Sequence, residues 1–352
     1  MCTLQERRDA DGRLHGDQTA PFAPWSAGVT AAETAERRPA SVGHRENPAR
    51  GIALKLAAVL LFTVMAACVK AAREVAPPGE TVFFRSFFAL PPILLYAWAR
   101  GRMGEVFVAR DPLAHATRGV VGVAAMFCGF FALGFLPLPE LIAINFAAPL
   151  MATGLAAILL RERVRLHRWT AVAVGLLGVL VMIEPRLTVA AGGALGDGEA
   201  LGAAFALAGA ALMAFATIHI RHLVRTETTL SIVFWFTMTC TLTGLLTAPF
   251  GWAWPDGTTF WLMVAAGVLG GTAQILLTES YVHADASTLA PFDYSQMLYG
   301  LLIGWLVFAE APSLQVLFGA AIVVGAGLYI IRRERRLRID RAKPRSAGGL
   351  QA

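Results

Sequence analysis

From Ile52 to Ile331 the chain is a succession of unbroken apolar runs, each closed by a short connector of polar, basic or helix-stopping residues. A helix crosses a bilayer with about 20 apolar residues, and the runs predict ten such spans. They lie at residues 52–72, 81–99, 117–136, 139–160, 168–184, 199–220, 230–250, 259–281, 287–309 and 314–331. The connectors carry Pro77-Pro78-Gly79, Pro137-Leu138-Pro139, Gly192-Gly193 and Pro255-Asp256-Gly257, residues that end helices. No run alternates apolar and polar positions, so a membrane β-barrel is excluded. The fold class expected is an all-α membrane protein.

Composition agrees: 56% of residues are hydrophobic, 15% are charged and the mean hydropathy is +0.59. Soluble domains are about 25% charged. Residues 1–50 are polar, with no apolar run and no signal-peptide core. They read as a disordered cytoplasmic tail, and a mis-assigned start codon would give the same pattern. The net charge of +6 raises nucleic-acid binding, but the basic residues fall at span ends and in the tails, where membrane orientation explains them better. Cys2, Cys68, Cys128 and Cys240 have the spacing of neither a disulfide framework nor a zinc site, so no metal is expected and the cysteines read as small packing residues.

Lysine and arginine orient the spans. With the N-terminus in the cytoplasm, the inner loops hold Arg100, Arg102, Arg110 and Arg118; Arg161, Arg163, Arg165 and Arg168; and Arg221 and Arg225, with eight more basic residues after Ile331. The outer loops hold only Arg73 and Arg186. Both termini are therefore expected inside. A shift of 148 residues places Glu162 on Glu310, Leu166 on Leu314, Leu141 on Leu289 and Asn145 on Asp293. Equivalent loops differ in charge: 161–168 is rich in arginine, whereas 309–316 has none. Two five-helix repeats of opposite topology account for this, a plan recurrent among secondary transporters with the substrate held near the midplane. The expected organisation is a tail (1–50), a first repeat (51–185), a second repeat (198–332) and a basic cytoplasmic tail (333–352).

Lys70 at the end of the first span, FFRSFFALP at 83–91, LLRERV at 159–164, Gly175 and Gly178, ASTLAPFDY at 286–294 and FAEAPSLQVLFGAAIVVGAGL at 308–328 resemble, in this order and spacing, the drug/metabolite transporter superfamily of the ten-helix type with two EamA domains. The resemblance covers residues 52–332. FFRSFFALP with TLAPFDYSQMLYG is most similar to the subgroup that includes riboflavin and S-adenosylmethionine importers. Where that family has a Gly-Glu pair after its fourth helix, this chain has Arg161-Glu162. The resemblance implies a secondary transporter of a small organic metabolite, with no cofactor.

Several polar residues lie deep enough to line a path. Arg85, inside span two among Phe83, Phe84, Phe87 and Phe88, either snorkels toward the headgroups or binds a substrate carboxylate or phosphate. Lys70 has the same two readings and is assigned a structural one. Asn145, Gln274 and Gln296 bond a neighbouring helix or face a ligand. Asp293, beside Pro291 and Tyr294 in a helix that the proline interrupts, is the candidate for proton or sodium coupling, and Glu279 is a weaker one. On this reading Asp293→Asn removes a titrating group and leaves the protein level unchanged. Trp235 with Phe234, and Tyr299 with Trp305, either form a stacking wall for a flat ring or pack against lipid and neighbours. Glu162 and Glu310 are expected at structural turns, and Gly267, Gly270, Gly271, Gly300 and Gly304 at close helix contacts. The partners implied are a small-molecule substrate and the lipid bilayer, with a second copy of the chain as a further candidate.

Two rival classes fare worse. A membrane-embedded enzyme finds no HExxH, no GxSxG and only scattered histidines; an ATP-driven pump finds no phosphate loop. Within transport, import of a vitamin-like metabolite competes with export of amino acids or drugs.

Overall fold

A computed structural model describes residues 47–73, 75–159, 166–191, 198–224, 226–284 and 286–342. Helix 1 (Pro48–Ala72) begins where the Asn47 side chain accepts from the Arg50 N–H at 3.1 Å, with Pro48 at the first helical position. Helix 3 (Pro112–Leu133) begins in the same way, Asp111 accepting from the Ala114 N–H at 2.9 Å. Both start earlier than hydropathy suggests, because the cap and the proline set the first turn. Arg118 is thereby moved out of the loop expected for it and into helix 3.

Three spans are interrupted. Helix 2 consists of Pro78–Phe87 and Leu90–Ala99, joined at Phe88 and Ala89, because Pro91 and Pro92 have no N–H to return to the preceding turn. Helix 4 consists of Leu138–Asn145 and Ala147–Leu159, and here Pro149 withholds the N–H that the Asn145 carbonyl would accept. Helix 9 runs through Ala286–Leu289, a 3₁₀ turn over Ala290–Tyr294 that contains Pro291, and Ser295–Phe308. The break in helix 9 was expected from Pro291; the one in helix 4 was not. The remaining spans are helix 5 (Leu166–Ala191), helix 6 (Glu199–Leu223), helix 7 (Thr229–Leu246), helix 8 (Gly257–His283) and helix 10 (Leu314–Ala342). No strand occurs among the described residues. Among the described residues, eight spans are long and apolar enough to cross a membrane; helix 5 contributes a shorter apolar stretch, Trp169–Met182, and helix 9 crosses only as the sum of its pieces.

The packing reveals the repeat. Helix 1 lies on helix 8 as helix 6 lies on helix 3; helix 4 meets helix 6 as helix 9 meets helix 1; helix 7 meets helix 3 as helix 2 meets helix 8. Helices 2 and 7, 4 and 9, and 5 and 10 pair with each other. Exchanging every helix for the one five places later leaves this pattern unchanged, as a two-fold relation between halves requires. Five crossings being odd, the halves enter the membrane from opposite sides. Close approach depends on the glycines: a Cβ at Gly267 or Gly271 of helix 8 would lie 2.9 or 2.7 Å from the carbonyls of Arg85 and Ala89 in helix 2, and one at Gly304 of helix 9 would lie 2.7 Å from Pro139. The core is centred on helix 4, where Leu138, Leu141, Ile142 and Leu150 are buried against Val123 and Phe130 of helix 3 and Ala206 and Ala210 of helix 6.

Candidate functional site

The interrupted segments of helices 4 and 9 face one open-mouthed cavity of about 420 Å³, lined on its other sides by helices 6 and 10. Asn145, Asp293, Tyr294 and Gln296, separately singled out in the sequence, all line it. Tyr294 packs its ring on Phe146, with centroids 5.1 Å apart, and rests its hydroxyl against Gly327 of helix 10. Asp293 has a partner that the sequence reading did not single out. Lys55 of helix 1 places Nζ 2.5 Å from Asp293 Oδ1; the lysine side chain is 3% exposed and the aspartate 48%. The signal was a lysine inside the first apolar run, between Leu54 and Leu56. The pair changes the expectation for Asp293→Asn, which would leave Lys55 buried without its counter-charge as well as removing a titrating group.

A second ion pair joins helices 1 and 9 at their other ends. Lys70 Nζ lies 2.7 Å from Glu310 Oε1 and also donates to the Leu136 carbonyl at 2.8 Å. Glu310 Oε2 accepts from the Leu138 N–H at 2.9 Å. Ala309 takes a left-handed conformation, φ 53°, which ends helix 9 and lets the Glu310 N–H return to the Gly304 carbonyl. Lys70 is thus held within the protein and does not reach for headgroups. Glu162, its repeat counterpart, lies outside the described residues.

The other candidates are dispersed. Glu279 is engaged by the Tyr96 hydroxyl and by Arg100, 3.2 Å away, and lines neither large cavity. Trp235 packs with Phe234 and His115, and Phe234 in turn with Phe107, whereas Trp305 is exposed on the outside of the bundle. Tyr299 is half-buried away from both cavities. Trp235 and Phe234 of helix 7 pack within one cluster, and among the described residues no ring contact joins them to Tyr299 or Trp305 of helix 9.

Arg85 and Gln274 line a separate cavity of about 140 Å³ between helices 2, 3, 6, 7 and 8. Arg118 lines it too, buried to 8% exposure, with Nε and Nη1 enclosed and without a hydrogen-bond partner. Its guanidinium lies over the Phe236 ring at 4.2 Å. Arg85 has Nε enclosed without a partner and Nη1 3.6 Å from Met126 Sδ. Hydropathy placed Arg118 at the very end of the third span, counted with the loop, whereas the Asp111-Pro112 cap starts helix 3 early enough to carry it further inside. Outside the spans, the Asp256 carboxyl is held below its usual range by the hydroxyl and N–H of Thr259, and that of Glu105 by Arg102.

Residues 49–184 and 200–332 each match the model of the EamA-like transporter family. The chain is 31% identical over 226 residues to a riboflavin transporter of Rhizobium johnstonii, covering 64% of this chain and 72% of that protein. It is 28% identical over 289 residues to a pseudopaline exporter of Pseudomonas aeruginosa, covering 81% and 97%. To an S-adenosylmethionine uptake transporter of Rickettsia felis it is 24% identical over 257 residues, covering 73% and 84%.

Proposed function

The chain belongs to the EamA-like transporter family, within the drug/metabolite superfamily, and from that premise we propose that it is a secondary transporter of a vitamin or cofactor-like metabolite across the inner membrane, with both termini in the cytoplasm. The observation that carries this reading is the pair of repeat-related helices, 4 and 9, both interrupted against one cavity that holds Asn145, Asp293, Tyr294 and Gln296. Helix interruptions that line a cavity are where secondary transporters expose backbone groups to substrate and ion. Asp293 is the coupling group on this reading: a proton or sodium ion competes with Lys55 for its carboxylate and so loosens helix 1 from helix 9. Glu279, already engaged by Tyr96 and Arg100, ranks behind it.

Uptake of labelled riboflavin and S-adenosylmethionine into proteoliposomes tests the reading, with an imposed proton or sodium gradient and with an uncoupler. Accumulation should follow the gradient and collapse with it. Accumulation that persists without any gradient would remove the secondary-transport assignment. Reporter fusions after Gly101 and Arg332 should report cytoplasm, and those after Pro78 and Pro255 the outside. The likeness to an exporter along 97% of that protein's length favours export as the second reading, and the direction of flux in right-side-out against inverted vesicles separates the two.

A further inference from the structure

Among the described residues, Lys55, Lys70, Arg85 and Arg118 project charged groups into the bundle from its spans, and two of these four meet an acid. Lys55 has Asp293 and Lys70 has Glu310. Arg85 and Arg118 share a cavity with no Asp or Glu in its lining, and enclosed nitrogens of both have no hydrogen-bond partner. A charge withdrawn from water without a counter-charge is strongly disfavoured. The Phe236 face beneath Arg118 offsets only part of that cost. Neither arginine reaches the headgroups. Arg118 Nη1 lies against Gly122 and Arg85 Nη1 against Met126, so the two guanidiniums stand at levels one helical turn, about 6 Å, apart along helix 3. Gly122 is midway along Pro112–Leu133, so these levels are near the middle of the membrane.

We propose that Arg85 and Arg118 form a receptor for an oxyanion, a carboxylate or phosphate group borne by the transported compound. The proposal rests on the transporter reading above and names the chemical class it would carry. Guanidinium groups match planar carboxylate and phosphate oxygens with paired N–H donors. Gln274, Thr229 and Thr237 supply further polar groups, and the remaining lining is aliphatic or aromatic. The cavity, about 140 Å³, is smaller than the roughly 300–1,000 Å³ that encloses a whole drug-sized ligand. It takes the charged end of a substrate and leaves a ring system outside it. An uncharged metabolite would leave both arginines unsatisfied.

The test uses the purified full-length protein, with acetate and inorganic phosphate as probes and chloride at equal ionic strength as the reference. Acetate or phosphate should raise the melting temperature saturably by a few degrees; which of them does so identifies the group. The rise should vanish in Arg118→Gln and in Arg85→Gln and return in part in Arg118→Lys. Without anion, Arg118→Gln should melt at or above the wild-type temperature, because it removes an unpaired buried charge. A rise equal in chloride, absent for both probes, or retained in the glutamine variants overturns the receptor. Flux keeps the two readings apart. Gradient-driven transport of riboflavin or S-adenosylmethionine that is unchanged in Arg118→Gln sinks the receptor and spares the transporter. An anion-dependent rise in a protein that transports neither compound sinks the riboflavin or S-adenosylmethionine reading and spares the receptor.

Discussion

Helix 1 and the helix 2–3 pair handle positive charge in opposite ways. Lys55 and Lys70 near the two ends of helix 1 each meet a carboxylate from helix 9, and Lys70 adds the Leu136 carbonyl. Arg85 and Arg118 face a cavity near the middle of the bundle, Arg85 against the Met126 thioether and Arg118 over the Phe236 ring. The paired lysines act as clasps that fix helix 1 against helix 9 at both ends. The arginines are held ready, with their strongest bonds unmade. A buried charge is therefore informative chiefly through what is missing beside it.

The largest expected effect comes from opening the clasp between Lys55 and Asp293. Asp293→Asn leaves Lys55 enclosed without its partner. The aspartate is half-exposed, so the loss should fall between that of a buried and that of a surface pair, roughly 2 kcal/mol. A melting experiment on Asp293→Asn, Lys55→Met and the double variant measures the coupling, and the double variant should recover most of the loss. Three additive effects would show that the two residues do not interact, and the contrast with the arginines would then rest on Lys70 alone.

Glu310→Gln should cost less, about 1 kcal/mol, since the amide oxygen can still accept from the Leu138 N–H while Lys70 keeps the Leu136 carbonyl. Chemical denaturation of the detergent-solubilised protein reads this directly. The arginines should behave in the opposite sense: Arg118→Met should be neutral or stabilising, by up to about 1 kcal/mol, as charged groups placed for function often are when replaced. A loss as large as that of Asp293→Asn would place Arg118 among the clasps.

The smallest effect belongs to Asp256, an exposed charge whose partner is a helix end. It accepts from the Thr259 N–H at 2.9 Å at the start of helix 8. Its folded pKa lies below that of the unfolded chain. Its contribution is therefore complete above the unfolded value and is lost as the pH falls through the folded one. The difference in melting temperature between wild type and Asp256→Asn should be positive at neutral pH and shrink toward zero in acid. A difference that stays constant with pH would mean the carboxylate charge plays no part.

Ten spans, their order and the opposed repeats were legible in the chain, because apolar run length and proline position act locally. Pro291 marks the interruption of helix 9, and Asn145 and Asp293, equivalent in the repeat, line a common cavity. The same local logic, applied to Pro149, would have marked the interruption of helix 4. What no local pattern held was the partner of each charge. Lys55 and Asp293 come from opposite halves of the sequence and meet only because helix 9 packs on helix 1. Arg118 looked like one more basic residue at a span end until the Asp111 cap put it inside helix 3, facing Phe236 of helix 7 across the cavity it shares with Arg85. Hydropathy sums over neighbours in sequence and so determines which segments enter the membrane. The energy of a charge inside it depends on the atoms a few ångströms away, and only the packing of distant helices chooses those.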